Sequence, residues 1–332
     1  MQGSLMLDIG GTYLTAEDRH LLRQPQVCGV ILFARNIEHP QQVRELCRAI
    51  RKVRSDLLIG VDQEGGRVQR LRQGFVALPA MGMLQTAPNP THVAQECGWL
   101  MAWEVLAMGI DFSFAPVLDL DYGRSTVIGL RSFGANAETV ELLAGAFLKG
   151  MHAAGMPSVG KHFPGHGWVT ADSHIAIPVD ERSLAYIQRA DLLPFQNLQR
   201  YLAGIMPAHV IYPQIDNRPA GFSKIWLQDI LRQQLNYQGV LFSDDLSMAG
   251  AHVAGDAAQR MLAALNAGCD VGLLCNDRAA AEHALATLQT EQVKPCTNLS
   301  AMYGRYIAQH DFQQHPRWQA ARQALKTLTS ND

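Results

Sequence analysis

GVLFSDDLSMAG, residues 239–250, runs from an apolar stretch into two adjacent carboxylates, Asp244 and Asp245, and then into a Ser/Met/Gly turn. A continuous apolar run fits a strand buried on both faces, as in a parallel sheet. The polar pair sits at its C-terminal end. The same pattern recurs along the chain. Runs rich in Val, Ile, Leu and Phe predict eight strands, at Leu5–Ile9, Val27–Phe33, Leu57–Asp62, Asp111–Leu118, Ser158–His162, Gly204–His209, Val240–Asp244 and Asp270–Cys275. Helical patterns lie between them. Pro40–Val53 opens on a proline, favoured in the first turn. Thr91–Met108 and Ala137–Ala154 carry apolar stripes, and Ser183–Leu198, Ser223–Leu235, Gly255–Ala267 and Arg278–Leu288 follow, several opened by a residue suited to capping.

Eight strands alternating with helices predict an α/β fold, a (β/α)8 TIM barrel. A doubly wound open sheet alternates in the same way, but gathers its ligand site at one switch point. Here Asp8, Asp62, Asp119, Lys161, His162, His209, Asp244 and Asn276 all fall at or just past C-terminal strand ends. That is the rim from which barrels build their sites, which favours the barrel. No internal repeat or linker divides the 332 residues. A single domain is expected over 1–332, with residues 295–332 a C-terminal helical tail, including Trp318–Leu328, packed on the barrel.

Composition narrows the function. The formal net charge is −2, so there is no basic surplus for nucleic acid or acidic lipid. The basic patch Arg48, Arg51, Lys52 and Arg54 has the spacing of a solvated helix face. No apolar run reaches the length of a membrane span. The opening MQGSLMLDIGGTYL lacks the pattern of a signal peptide. Six cysteines with no CxxC pair suit reduced thiols and a cytoplasmic location.

The densest chemistry lies in GKHFPGHGWVTADSH, residues 160–174, where Lys161, His162, His166, Asp172 and His174 crowd a segment broken by Pro164, Gly165 and Gly167. It reads as an active-site loop. His162 and His166 have the i, i+4 spacing of a zinc pair, but zinc uses that spacing on a helix, which Pro164 and the glycines exclude. Asp172 and His174 are two apart: the carboxylate can orient and charge the imidazole, or the two can titrate independently. Asp244 and Asp245 should point to opposite sides of their strand, one facing a pocket and the other holding the loop. They can equally cap the following segment. In LLIGVDQEGGRVQRL, Asp62 with Arg67 or Arg70 can bind the vicinal hydroxyls of a sugar or form a structural salt bridge. Arg131, in GLRSFG, can grip a substrate oxygen or pair with an acidic neighbour.

Taken together, FARNIEHP, DQEGGRVQRL, FAPVLDLD, GKHFPGHG with its DSH, MPAHVIYP and FSDDLSMAG resemble glycoside hydrolase family 3, in its single-domain bacterial β-N-acetylglucosaminidases. The resemblance spans roughly Leu5 to Asn276. It implies a retaining hydrolase with a covalent glycosyl-enzyme intermediate and no cofactor or metal. By resemblance Asp244 is the nucleophile, His174 the general acid/base and Asp172 its carboxylate partner. Asp62, Arg70, Arg131, Lys161 and His162 match residues that hold the N-acetylglucosamine ring, and Arg67 has no assigned role. The implied substrate is a small muropeptide or sugar, N-acetylglucosamine β-1,4-linked to 1,6-anhydro-N-acetylmuramic acid with or without peptide. The implied setting is cytoplasmic peptidoglycan recycling, whose product signals β-lactamase induction in some bacteria.

Three other readings use the same residues. A histidine acid/base does not repel phosphate, so the same fold can serve a β-N-acetylglucosaminide phosphorylase. A metal-dependent hydrolase would use His162, His166, His174 and His209. A non-catalytic sugar-binding barrel would have no need of Asp172, His174 and Asp244 together.

Overall fold

The computed structural model describes residues 3–170, 177–293, 296, 299–307, 311–326 and 328. All eight predicted strands are present: β1 (Leu5–Leu7), β2 (Val27–Leu32), β3 (Leu58–Val61), β4 (Phe112–Ser113), β5 (Val159–Phe163), β6 (Gly204–Pro207), β7 (Val240–Asp245) and β8 (Val271–Leu274). Neighbours run β4-β3-β2-β1-β8-β7-β6-β5, all parallel. The two ends of this order meet through the parallel bridges Ser113↔Ser158 and Val117↔Lys161. Three backbone bonds join them: Val159 N–H to Ala115 O at 2.9 Å, Lys161 N–H to Pro116 O at 3.2 Å and Leu118 N–H to Lys161 O at 2.6 Å. The sheet is a closed TIM barrel, with helices in the connections.

The strands are buried along their length; only β7 emerges, at Asp244 and Asp245. Phe112, Phe114 and Phe242 meet inside the barrel with ring centroids 5.0–5.6 Å apart. Gly60 on β3 and Gly204 on β6 make room for them: a Cβ there would stand 3.0 Å from Phe112 and 2.9 Å from Phe242. Large side chains thus face small ones, which is how a narrow barrel fills without voids.

Two irregularities shape the rim. Between β7 and β8, Val271 pairs with Phe242 but Leu273 with Asp245, so β7 carries one extra residue. Between β5 and β6, Lys161 pairs with Met206 and Phe163 with Pro207, so β5 carries one as well. Such bulges break the alternation of side chains and re-aim them.

Most helices lie where the pattern places them. Pro40–Val53 buries Val43, Leu46, Cys47 and Ile50, one stripe at helical spacing, and is capped by His39. Two expectations change. Ser183–Leu198 is not continuous: it forms Leu184–Gln188 and Leu192–Leu198, with Asp191 at the break. Asp191 turns its carboxylate inward to accept from Tyr122 at 2.9 Å and Arg182 at 2.8 Å, an arrangement local periodicity cannot reveal. Residues Ile225–Gln234 wind as a π-helix, where an ordinary helix is expected over Ser223–Leu235. Ala16–Leu22, closed by a Thr15/Asp18 capping box, is an additional helix too short to show an apolar stripe.

Near the C-terminus, Pro316–Lys326 packs on Pro90–Ala107. Trp318 is buried there and donates its Nε1–H to Glu104 at 2.9 Å, while Arg317 pairs with Glu96 at 2.9 Å. Together with Ala137–Ala154, which packs on the same helix, this cover accounts for the burial of most of Pro90–Ala107.

Candidate active site

A cavity of about 350 Å³ opens at the C-terminal ends of the strands, lined by Asp62, Glu64, Arg70, Arg131, Lys161, His162, Asp244 and Asp245 among others. Its volume is that of an ordinary small-molecule site. Six of the eight sequence-predicted residues meet there: Asp62, Arg70, Arg131, Lys161, His162 and Asp244. The other two, Asp172 and His174, lie outside the described residues.

One wall is a lattice of charges. Lys161, buried on β5, reaches Asp62 at 2.9 Å and Glu64 at 2.6 Å. Arg131 grips Glu64 with two parallel bonds of 2.8 Å. Burial alone pushes the Glu64 carboxyl up, but Arg131 and Lys161 outweigh it and hold it well below the carboxylate range. Glu64 is the functional residue sequence reasoning missed. Its signal was the spacing in DQE: two residues after Asp62, in extended chain, it shares that side of the backbone. Gln63 fixes the turn, donating its N–H to Ser113 at 2.9 Å and accepting from the N–H of Arg70 at 2.8 Å and Leu71 at 3.0 Å.

Arg70 stands 3.8 Å from Asp62. Its Nε is buried with no hydrogen-bond partner among the described residues. A buried orphan donor is costly and points to a ligand acceptor. On Arg131, Glu64 takes Nε and Nη2 and the Val127 carbonyl takes Nη1 at 3.2 Å, leaving one N–H on each terminal nitrogen.

His162 occupies the β5 bulge, which brings both Lys161 and His162 into the cavity. Its Nδ1 lies 2.6 Å from Asp119, a fully buried carboxylate that also accepts the N–H of His166 at 2.7 Å. A carboxylate only accepts, so the proton sits on Nδ1 and Nε2 remains for a ligand. Burial raises the Asp119 carboxyl; His162 and then His166 reverse that and leave it lowered.

The β7 bulge works the same way. Strict alternation sends Asp244 and Asp245 to opposite sides, but both line the cavity. Ser243 fills the gap in the ladder, accepting from the Leu273 N–H at 2.9 Å and donating to the Asp244 carbonyl at 2.7 Å. Asp245 accepts from Ser247 N–H at 3.0 Å, Ser247 Oγ–H at 2.8 Å and Cys275 N–H at 3.2 Å, so it also ties down the loop. Burial lifts it to about 6. Among the described residues Asp244 accepts only the Asp245 N–H, at 2.8 Å. Burial raises its carboxyl too, but His209, His162, that N–H and Lys161 together bring it below its ordinary value. His209, itself buried, donates Nε2–H to the Asp245 carbonyl at 3.1 Å, and burial lowers its imidazole from the ordinary value. The site therefore offers one ionised, lightly solvated carboxylate beside a wall of spare donors.

Residues 6–297 match the family described as the glycosyl hydrolase family 3 N terminal domain. The chain belongs to glycoside hydrolase family 3. It is 65% identical over 326 residues, 98% of each chain, to a beta-hexosaminidase of Pseudomonas aeruginosa. A beta-hexosaminidase of Idiomarina loihiensis is 53% identical over 97% of this chain and 99% of its own. Among solved structures, native NagZ from Neisseria gonorrhoeae has a TM-score of 0.92 at 41% identity, covering 99% of this chain and 98% of that one. The same enzyme in complex with N-trifluoroacetyl-D-glucosamine has a TM-score of 0.90. As a family 3 member with such relatives, the chain is a glycosidase of the β-hexosaminidase kind.

Proposed function

We propose that this family 3 glycosidase is a retaining exo-β-N-acetylglucosaminidase. It removes terminal N-acetylglucosamine from fragments β-1,4-linked to 1,6-anhydro-N-acetylmuramic acid, with or without peptide, in cytoplasmic peptidoglycan recycling. The observation that carries the reading is Asp244: a carboxylate held below its ordinary value, with a single hydrogen bond on it among the described residues, lining the same cavity as the orphan Nε of Arg70. Asp62, Arg70, Arg131, Lys161 and His162 hold the ring hydroxyls. The cavity's mixed polar lining suits a sugar, and the gonococcal relative binds an N-acylated glucosamine.

In the first step Asp244 attacks the anomeric carbon and the bond to the aglycone oxygen breaks, leaving a glycosyl ester. His174, charged with help from Asp172, gives its proton to the departing oxygen. In the second step the same imidazole takes a proton from water as the water displaces Asp244. Two displacements retain the anomeric configuration. A neutral histidine suits the second step, because it adds no negative charge beside the ester.

The test is capture of the intermediate. Protein quenched during turnover of a slow 5-fluoro glycosyl donor is digested and analysed by mass spectrometry. The expected result is a peptide carrying the sugar on Asp244. A sugar on another residue overturns the assignment, and inversion at the anomeric carbon, read by NMR, overturns the mechanism.

A further inference from the structure

Four cations line the cavity, and three of them are neutralised. Arg70, Arg131 and Lys161 each lie within ion-pair distance of Asp62 or Glu64. The fourth, Arg67, is exposed and has no carboxylate partner among the described residues. Its Nη2 is fixed by two main-chain carbonyls, Val127 and, at 3.4 Å, Thr126. Among the described residues Nε and Nη1 of Arg67 have no partner. Two residues before Thr126, Arg124 is also exposed and has no carboxylate partner among the described residues; its guanidinium lies over the Trp168 ring at 4.2 Å. Both arginines are held in place by groups that leave their charge uncompensated. Carbonyl bonds and ring stacking restrict a guanidinium while keeping its planar fork available for a carboxylate.

Deeper in the cavity, the carboxylates Asp62, Glu64, Asp244 and Asp245 stand against Arg70, Arg131 and Lys161. No cation is in excess there, so that part suits a neutral sugar better than an anion. We infer that Arg67 and Arg124 form a carboxylate-binding subsite at the cavity mouth, which receives an anionic aglycone while its neutral sugar enters the floor. This rests on the function proposed above, whose aglycone bears a lactyl carboxylate or, in peptide-bearing fragments, peptide carboxylates. The charge difference between mouth and floor fixes which end of the substrate enters first.

The test compares kcat/KM for N-acetylglucosaminyl-1,6-anhydro-N-acetylmuramic acid with that for the same disaccharide capped as its lactyl methylamide. In the parent protein the free acid should be preferred about tenfold at low ionic strength, the range open to exposed charge pairs, and the preference should shrink at 0.5 M salt. R124Q should reduce the preference, R67Q/R124Q should bring it close to one, and R124E should push it below one. R67K/R124K should keep much of it. A second arm uses the tripeptide-bearing fragment and its fully amidated form. A preference confined to this arm assigns the subsite to peptide carboxylates and one confined to the first arm to the lactyl group; either supports it. A preference of one in the parent in both arms, or a preference untouched in R67Q/R124Q, overturns the subsite. A parent protein that cleaves chitobiose but none of these fragments overturns the proposed function instead.

Discussion

Two ion networks stand on either side of the barrel mouth, and they are built to different ends. On the cavity wall, Lys161, Asp62, Glu64 and Arg131 neutralise one another yet leave N–H groups on Arg131 and the Nε of Arg70 unspent. Beside it, Arg182 gives Nε and Nη2 to Asp180 and Nη1 to Tyr122 and Asp191. Its guanidinium also lies within 5.1 Å of the rings of Tyr122, Trp168 and Tyr186. These bonds take four of its five N–H groups. This cluster joins Trp168 to Asp180, the described residues on either side of 171–176. A network that keeps several buried donors spare is suited to binding; one that spends nearly all of them is suited to holding chain together.

The largest effect is expected at Asp244, the carboxylate proposed to react. Asp244→Ala should lower kcat on every β-N-acetylglucosaminide by about 10⁴-fold or more, the scale of losing a nucleophile. Wild-type-like turnover by the folded variant, checked by circular dichroism, would remove Asp244 from the mechanism.

His174→Ala should separate the two halves of acid/base catalysis. A sugar leaving group needs a proton as its bond breaks, and a dinitrophenyl group does not. Loss on the natural disaccharide should be about 10²–10⁴-fold, with far less on the aryl glycoside. Azide should restore turnover on the latter and give a glycosyl azide of retained configuration. Equal losses on both substrates without rescue would return the search to another rim residue.

The networks themselves separate in a paired measurement. Glu64→Gln and Arg182→Met each leave buried charges uncompensated, and each should cost about 3–5 kcal/mol in urea unfolding. Only the first should weaken binding of N-acetylglucosamine, about tenfold or more by calorimetry, because only it disturbs Arg131 and Lys161. If Arg182→Met weakens the sugar equally, the division between binding and holding networks fails.

Glu104 sharpens the contrast, being a carboxylate in neither network. It is buried, accepts from Trp318 and Val76, and forms no ion pair among the described residues. Burial raises it from 4.5 to about 8. Since its folded value lies above the unfolded one, the stability it confers is full below about pH 4.5 and is lost as pH rises through about 8. Glu104→Gln, which keeps the acceptor for Trp318, should stabilise the protein by about 2–4 kcal/mol at pH 9 and by nothing at pH 4. A gain independent of pH would mean that Glu104 ionises normally.

Much of this was legible in the sequence, for a definable reason. A parallel strand must be apolar on both faces until it leaves the barrel, so each run ended where chemistry began, at Asp62, His162 and Asp244. Helix Pro40–Val53 was readable from one buried stripe and a proline. Glu64 was not found, because its partners are Arg131 and Lys161, distant along the chain and adjacent only after closure. The break at Asp191 was hidden likewise by its bonds to Arg182 and Tyr122. Alternation misplaced Asp245, since a register shift depends on the neighbouring strand and leaves no mark in its own residues.

Those two register shifts set how much the rim can hold. In an eight-stranded barrel each layer takes one inward side chain from each alternate strand. One surplus residue in β5 and one in β7 turn single positions into consecutive pairs, Lys161–His162 and Asp244–Asp245. Reactive groups are thereby doubled on two strands, beside the single Asp62 that follows β3. Shortening either strand by one residue should leave a well-packed barrel with half its vocabulary erased on that side. Lengthening another strand in the same fashion is a route to writing a new functional pair into the same scaffold.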